Sequence, residues 1–116
     1  MPFRSPSSSL PLTPLAFEIL LALSENDQHG YAILQSVEAR LSGLLPIRTG
    51  TLYRALARLD EDGLIRLVDT GGAEDERRRV YQLTPHGRTI ARAEAARLAD
   101  QVAAARSRRL LPGSRR

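Results

Sequence analysis

The chain contains no cysteine, which excludes a disulfide framework and any thiolate metal or redox site. It also contains no lysine: all 17 basic residues are arginine. No apolar run reaches the length needed to cross a bilayer. The segment Leu15 to Leu23 is too short for that and holds Glu18. The Ser/Pro-rich tract before it lacks the clustered positive charge of a signal peptide, so the expected location is cytoplasmic, with no membrane partner. The catalytic signatures are missing too, with no P-loop, no G-x-G-x-x-G, no G-x-S-x-G and no H-E-x-x-H. His29 and His86 are far apart and unaccompanied by cysteine or a carboxylate cluster, so no metal site is expected. Glu74-Asp75-Glu76 lies beside arginines and reads as local charge balance. These absences predict a protein that is not an enzyme and needs no cofactor.

What is present is positive charge on a small frame. The net charge is +4 over 116 residues, and the pI is about 10.6. Such a balance favours a polyanionic partner. Arginine suits bidentate contacts to phosphate and guanine better than lysine does, although arginine-favouring codon usage accounts for the same bias. A chain of this length is one small domain, perforce modest in its core. It buries only about two-thirds of its unfolded surface, so a second subunit would add stability.

The sequence pattern divides the chain into a flexible arm (1–12), a folded unit of helices and strands (13–84), a terminal helix (85–109) and a basic tail (110–116). Thr13-Pro14 is an N-cap followed by proline at the first helical position, and the helix it starts is expected to run to about Ser24. This helix is apolar nearly all round. Leu15, Ile19, Leu20 and Leu23 share one side, with Phe17 and Leu21 on another, so it needs cover on two sides. Glu25 to Gly30 reads as a polar connection. A second helix is predicted from about Tyr31 to Leu41, with Gly43 closing it, and Leu44 to Arg48 reads as a linker. A third helix is predicted from about Thr49 to Asp62. In it Leu52, Leu56 and Leu59 share one face, while Thr51, Arg54 and Arg58 lie opposite with Tyr53 beside them. Gly63 stops this helix as a left-handed cap. Ile65 to Val68 and Val80 to Leu83 read as two strands joined by the turn-rich tip Thr70 to Asp75.

A helix with a basic outer face, followed by an arginine-bearing hairpin, is what a winged helix-turn-helix needs to grip a duplex. The fold class expected is therefore mainly α (α+β), a winged helix-turn-helix with a C-terminal dimerisation helix. The expected contacts to double-stranded DNA are Arg48, Thr49, Thr51, Tyr53, Arg54, Arg58, Arg77, Arg78 and Arg79. Two readings stand for Tyr53: a hydrogen bond to phosphate, or a half-buried ring packed on the wing. Arg54 and Arg58 suit base edges or phosphates, or form a solvated face in which Glu61 and Asp62 offer pairing.

Thr84-Pro85 repeats the cap-plus-proline signal and opens a long, alanine-rich helix of high propensity. Ala91, Ala95, Leu98, Val102 and Ala105 are spaced 4-3-4-3, the heptad spacing of a coiled-coil contact, with Ile90 at the edge. Together with Leu15, Phe17 and Leu21 of the first helix, these residues are the expected homodimer contacts. The other reading is a helix folded back on its own domain.

At these residues the chain resembles the PadR family of bacterial transcriptional regulators. His29-Gly30-Tyr31-Ala32-Ile33 is similar to the family's "hGYeI" signature. Gly50-Thr51-Leu52-Tyr53-Arg54-Ala55-Leu56, continuing through Leu59 to Glu61-Asp62-Gly63-Leu64-Ile65, is similar to "gtlYpaLkrLeeeGli", with Arg54 where proline is frequent. Arg79 to Gly87 is similar to the wing motif "r.yyrlT..G". The resemblance covers about Leu12 to Arg106, and its single terminal helix is like that of the short subgroup. It implies a homodimer with interlocked terminal helices that binds an operator and usually represses. It also implies a possible small apolar or aromatic effector near the dimer interface. The terminal helix carries no aromatic residue, so such a site is expected at Phe17, Leu21 and Leu98. The alternative, from another class, is a winged-helix protein-interaction module that does not bind DNA. It would show an apolar patch where a DNA reader shows arginines.

Overall fold

Threonine caps start two of the helices. In the first, α1 (Pro14–Glu25), the Thr13 hydroxyl accepts from the Ala16 N–H at 3.1 Å. In the last, α4 (Pro85–Ser107), the Thr84 hydroxyl accepts from the Gly87 N–H at 2.9 Å. Both helices have proline in the first turn, where a missing N–H costs nothing. Between them lie β1 (Gln28–His29), α2 (Gly30–Leu41), α3 (Thr49–Glu61), β2 (Ile65–Val68) and β3 (Val80–Leu83). The computed structural model of the chain describes residues 10–41, 47–68 and 79–112. The arm's first nine residues, Gly43, most of the linker before α3, the hairpin tip with Arg77 and Arg78, and the last four residues of the tail lie outside the described residues.

The fold is the expected one, helix-rich with a small antiparallel sheet in the order β1-β3-β2. One element differs from the sequence reading. The polar connection before α2 contains β1, which pairs Gln28 with Tyr81 and His29 with Val80. The ladder extends one step further, as the Gly30 N–H donates to the Arg79 carbonyl at 3.2 Å. Two residues carry no strand periodicity of their own; they become a strand because β3 would otherwise leave its free edge unpaired.

The core gathers one stripe from every helix: Ile19, Leu20 and Leu23 from α1, Ile33 and Val37 from α2, Leu52, Leu56 and Leu59 from α3, and Ile90 from α4. Leu64, Ile65, Tyr81 and Leu83 close it from the sheet. The central helix is α1, which packs on α2, α3, α4 and β3. The arm does not end cleanly at residue 12, because Leu10 and Leu12 pack against this core.

The α3 terminus is a Schellman cap. The Leu64 N–H donates to the Leu59 carbonyl at 2.9 Å and the Gly63 N–H to the Asp60 carbonyl at 3.0 Å, with Gly63 at φ +77. A Cβ at Gly63 would meet nothing within 4 Å, so only backbone strain opposes a side chain there. Gly63→Ala is therefore expected to destabilise the domain by about 1 kcal/mol. A urea denaturation midpoint lowered by that amount, with an unchanged slope, is the expected result; an unchanged midpoint would show that the cap relaxes without cost.

Candidate nucleic-acid interface

The leucine stripe of α3 dictates what its other side presents. With Leu52 and Leu56 fully buried, the 100° step between residues turns Gly50, Arg54, Ala57 and Arg58 outward, and all four are exposed. Arg48 and Thr49 at the helix start are exposed too, and Thr51 is half-buried. Unlike α1 and α4, α3 begins without a side-chain cap, since Arg48 makes no cap hydrogen bond. Its first-turn N–H groups and the positive end of the helix dipole thus lie beside Arg48, whereas Arg58 belongs to the last turn.

The two arginines on this face are held differently. Arg54 turns back toward the helix start, where its Nη2 donates to the Thr51 hydroxyl at 3.3 Å. Arg58 turns toward the helix end, where its Nε lies 3.5 Å from Asp62 Oδ2, with the side chain 71% exposed. Both line a groove of about 430 Å³ whose apolar wall includes Leu12, Leu15 and Ala16.

Tyr53 requires a correction. Its ring and hydroxyl lie over Gly30, so close that a Cβ there would come within 2.8 Å of both. The hydroxyl oxygen is buried and so is not offered to a phosphate in this position. The ring is half-buried, but the contact it makes here is with the start of α2, where the expectation named the wing. This contact explains why glycine precedes Tyr31: the two sequence motifs meet, and the glycine leaves room for the tyrosine. Arg79 is exposed at the end of β3, with its carbonyl bonded to Gly30.

The terminal helix divides in two. Ile90 is fully buried in the chain's own core, and Ala91 packs against that core. Ile90 is thereby corrected from a seam residue to a core residue, while Ala91 is half-buried. Leu15 also packs on the domain. Beyond them Ala95 and Val102 are exposed, while Leu98 and Ala105 are half-buried, as are Phe17 and Leu21 on α1. Leu21 lines a cleft of about 450 Å³ between α1 and α2, together with Glu18, Gln28, Ser36 and Arg40. Phe17 and Leu98 line neither this cleft nor the groove beside α3.

Glu94 is a residue that the sequence did not single out. It is 1% exposed, and its carboxylate takes two hydrogen bonds from Arg97, at 2.9 Å and 2.8 Å. Those bonds hold its carboxyl below the usual range, against the opposing effect of burial, and the Leu12 N–H adds to them. Glu94 thereby fastens the segment entering α1 to the first half of α4. The spacing to Arg97 was visible as an i,i+3 pair; its burial was not.

A helix-turn-helix whose outward helix carries uncovered arginines, flanked by a β hairpin, defines a winged-helix protein. The family model of the transcriptional regulator PadR-like family matches residues 19–93, and the chain belongs to that family. It is 40% identical over 87 residues to a 37.1 kDa protein in transposon TN4556 of Streptomyces fradiae. That match covers 72% of this chain and 24% of the other, so the chain spans about a quarter of its relative's length. A transcriptional regulator from Clostridium thermocellum, Cth-833, is 32% identical with a TM-score of 0.59, over 76% of this chain and 84% of that one. Bacillus subtilis PadR, solved in complex with operator DNA, shares the fold at 23% identity and a TM-score of 0.60, over 72% of this chain and 46% of that one. Among the described residues no helix is long and apolar enough to cross a membrane.

Proposed function

We propose that the chain is a sequence-specific DNA-binding transcriptional regulator that acts in the cytoplasm as a homodimeric repressor. The observation that carries this reading is the exposed face of α3, where Arg48, Thr49, Gly50, Arg54 and Arg58 face solvent with no large apolar residue among them. Among the described residues the large apolar side chains exposed are Tyr31, Leu67, Val102 and Leu110, none of them on α3. An interaction module would need its apolar patch on that face; a DNA reader needs arginines there. On this reading α3 enters the major groove start-first, and the wing arginines Arg77, Arg78 and Arg79 reach the flanking backbone. The far half of α4, with Leu98, Val102 and Ala105, pairs with the same surface of a second copy, and Phe17 and Leu21 add to the contact. Occupation of the operator then keeps other proteins off it. The same dimer provides the place for an apolar effector between α1 and α4, where binding to one spacing of the two heads shifts the population toward it.

The test is a salt series. Each phosphate neutralised by a side chain contributes about one unit to the slope of log affinity against log salt. Arg58→Ala is expected to weaken binding to all duplexes alike and to reduce that slope by about one unit. Unchanged affinity across the series for both Arg58→Ala and Arg48→Ala would remove this face from the interface.

A further inference from the structure

We infer that Arg54 is the residue through which α3 reads a guanine, while Arg58 contributes charge without sequence preference. This rests on the DNA-binding reading and assigns the base chemistry within it. The two arginines are one turn apart on the same face, so sequence spacing alone treats them as equivalent. Their surroundings do not. Arg58 shares its charge with a carboxylate, Asp62, and is drawn toward the helix end. Arg54 is oriented by a neutral oxygen, the Thr51 hydroxyl, so its position is set while its charge stays uncompensated by that partner. Among the other arginines, Arg40 and Arg97 are also spent on carboxylates, Glu18 at 2.6 Å and Glu94 at 2.8 Å.

The position of Arg54 matters as much as its charge. Recognition helices enter the major groove by their N-terminal residues, and the Arg54 guanidinium lies over the first turn of α3. The same placement is seen from Gly50, in the first turn, where a Cβ would stand 3.4 Å from Arg54 Nη1, in ordinary van der Waals contact. A planar fork with several N–H groups left to donate, presented at the groove-entering end, matches the O6 and N7 acceptors of guanine. The Thr51 bond limits the side-chain freedom that must be lost on binding, which favours a base contact over a loosely placed phosphate contact.

The experiment selects bound sites from a random duplex pool, with the full chain and with Arg54→Ala and Arg54→Lys, both checked for native circular dichroism. The wild-type selection is expected to show a G·C pair in each half-site. Both variants should lose discrimination at that pair by roughly 10- to 100-fold and keep it at the other positions. Lysine keeps the charge and loses the fork, so its loss of discrimination with retained general affinity separates base reading from electrostatics. If Arg54→Ala binds every duplex more weakly but recovers an unchanged consensus, Arg54 contacts phosphate and the inference is overturned. If the wild-type chain itself enriches no sequence, the DNA-reading function fails and this assignment falls with it.

Discussion

Gly87→Ala should lower the melting temperature by roughly 15 °C, taking about 3 kcal/mol for a core overpacked against backbone and about 5 °C per kcal/mol for a domain of this size. A Cβ at Gly87 would lie 1.9 Å from the Leu64 carbonyl oxygen and 2.8 Å from Leu83 Cδ1. The Leu64 carbonyl cannot step aside freely. It accepts from the Thr84 N–H at 3.1 Å, and the Thr84 hydroxyl donates to the neighbouring Gly63 carbonyl at 2.6 Å. These bonds close the base of the hairpin, joining the end of α3 to the start of α4. Moving the carbonyl breaks the junction; keeping it leaves the clash. The loss should therefore be several times that of Gly63→Ala, where the same methyl meets open space. Thermal unfolding followed by circular dichroism measures it, and a melting temperature within a few degrees of wild type would show that the junction yields.

The second large effect is expected at the far half of α4. Val102 is 43% exposed in the single chain, so Val102→Asp should leave the fold of one protomer intact. In the proposed seam the same carboxylate would be buried without a partner, which is costly. The variant should sediment as a monomer and bind operator at least 100-fold more weakly, because a second head tethered to the first multiplies affinity by about that factor or more. A variant that stays dimeric, or that binds DNA as well as wild type while monomeric, would place the seam elsewhere.

Local signals were readable wherever the cause was local. Thr13-Pro14 and Thr84-Pro85 mark helix starts because a hydroxyl cap and a residue without an N–H each suit a first turn. Gly63 marks a helix end because only glycine takes its positive φ cheaply. The leucine stripe of α3 orients that helix, and hence its arginines, without any tertiary information.

What stayed hidden depended on partners distant in sequence. β1 exists because β3 pairs with it. Tyr53 lies against Gly30, 23 positions earlier in the chain, and not on the exposed arginine face. The 4-3-4-3 spacing in α4 marks an apolar stripe, but not which part of it the domain itself covers. α1 takes the first half, so Ile90 goes into the core and Glu94 is buried beside it. The distinction between Arg54 and Arg58 likewise rests on side-chain orientation, toward Thr51 in one case and Asp62 in the other.

On the proposed function, two copies of this fold read duplex DNA through α3. The most direct measurement titrates the wild-type chain into a duplex recovered from a random pool and into a scrambled duplex of equal length, at fixed salt, with stoichiometry determined. Two chains per recovered duplex are expected, with an affinity at least about 1,000-fold above that for the scrambled sequence, as specific protein–DNA complexes show. A folded protein that binds both duplexes alike, or neither, would contradict it.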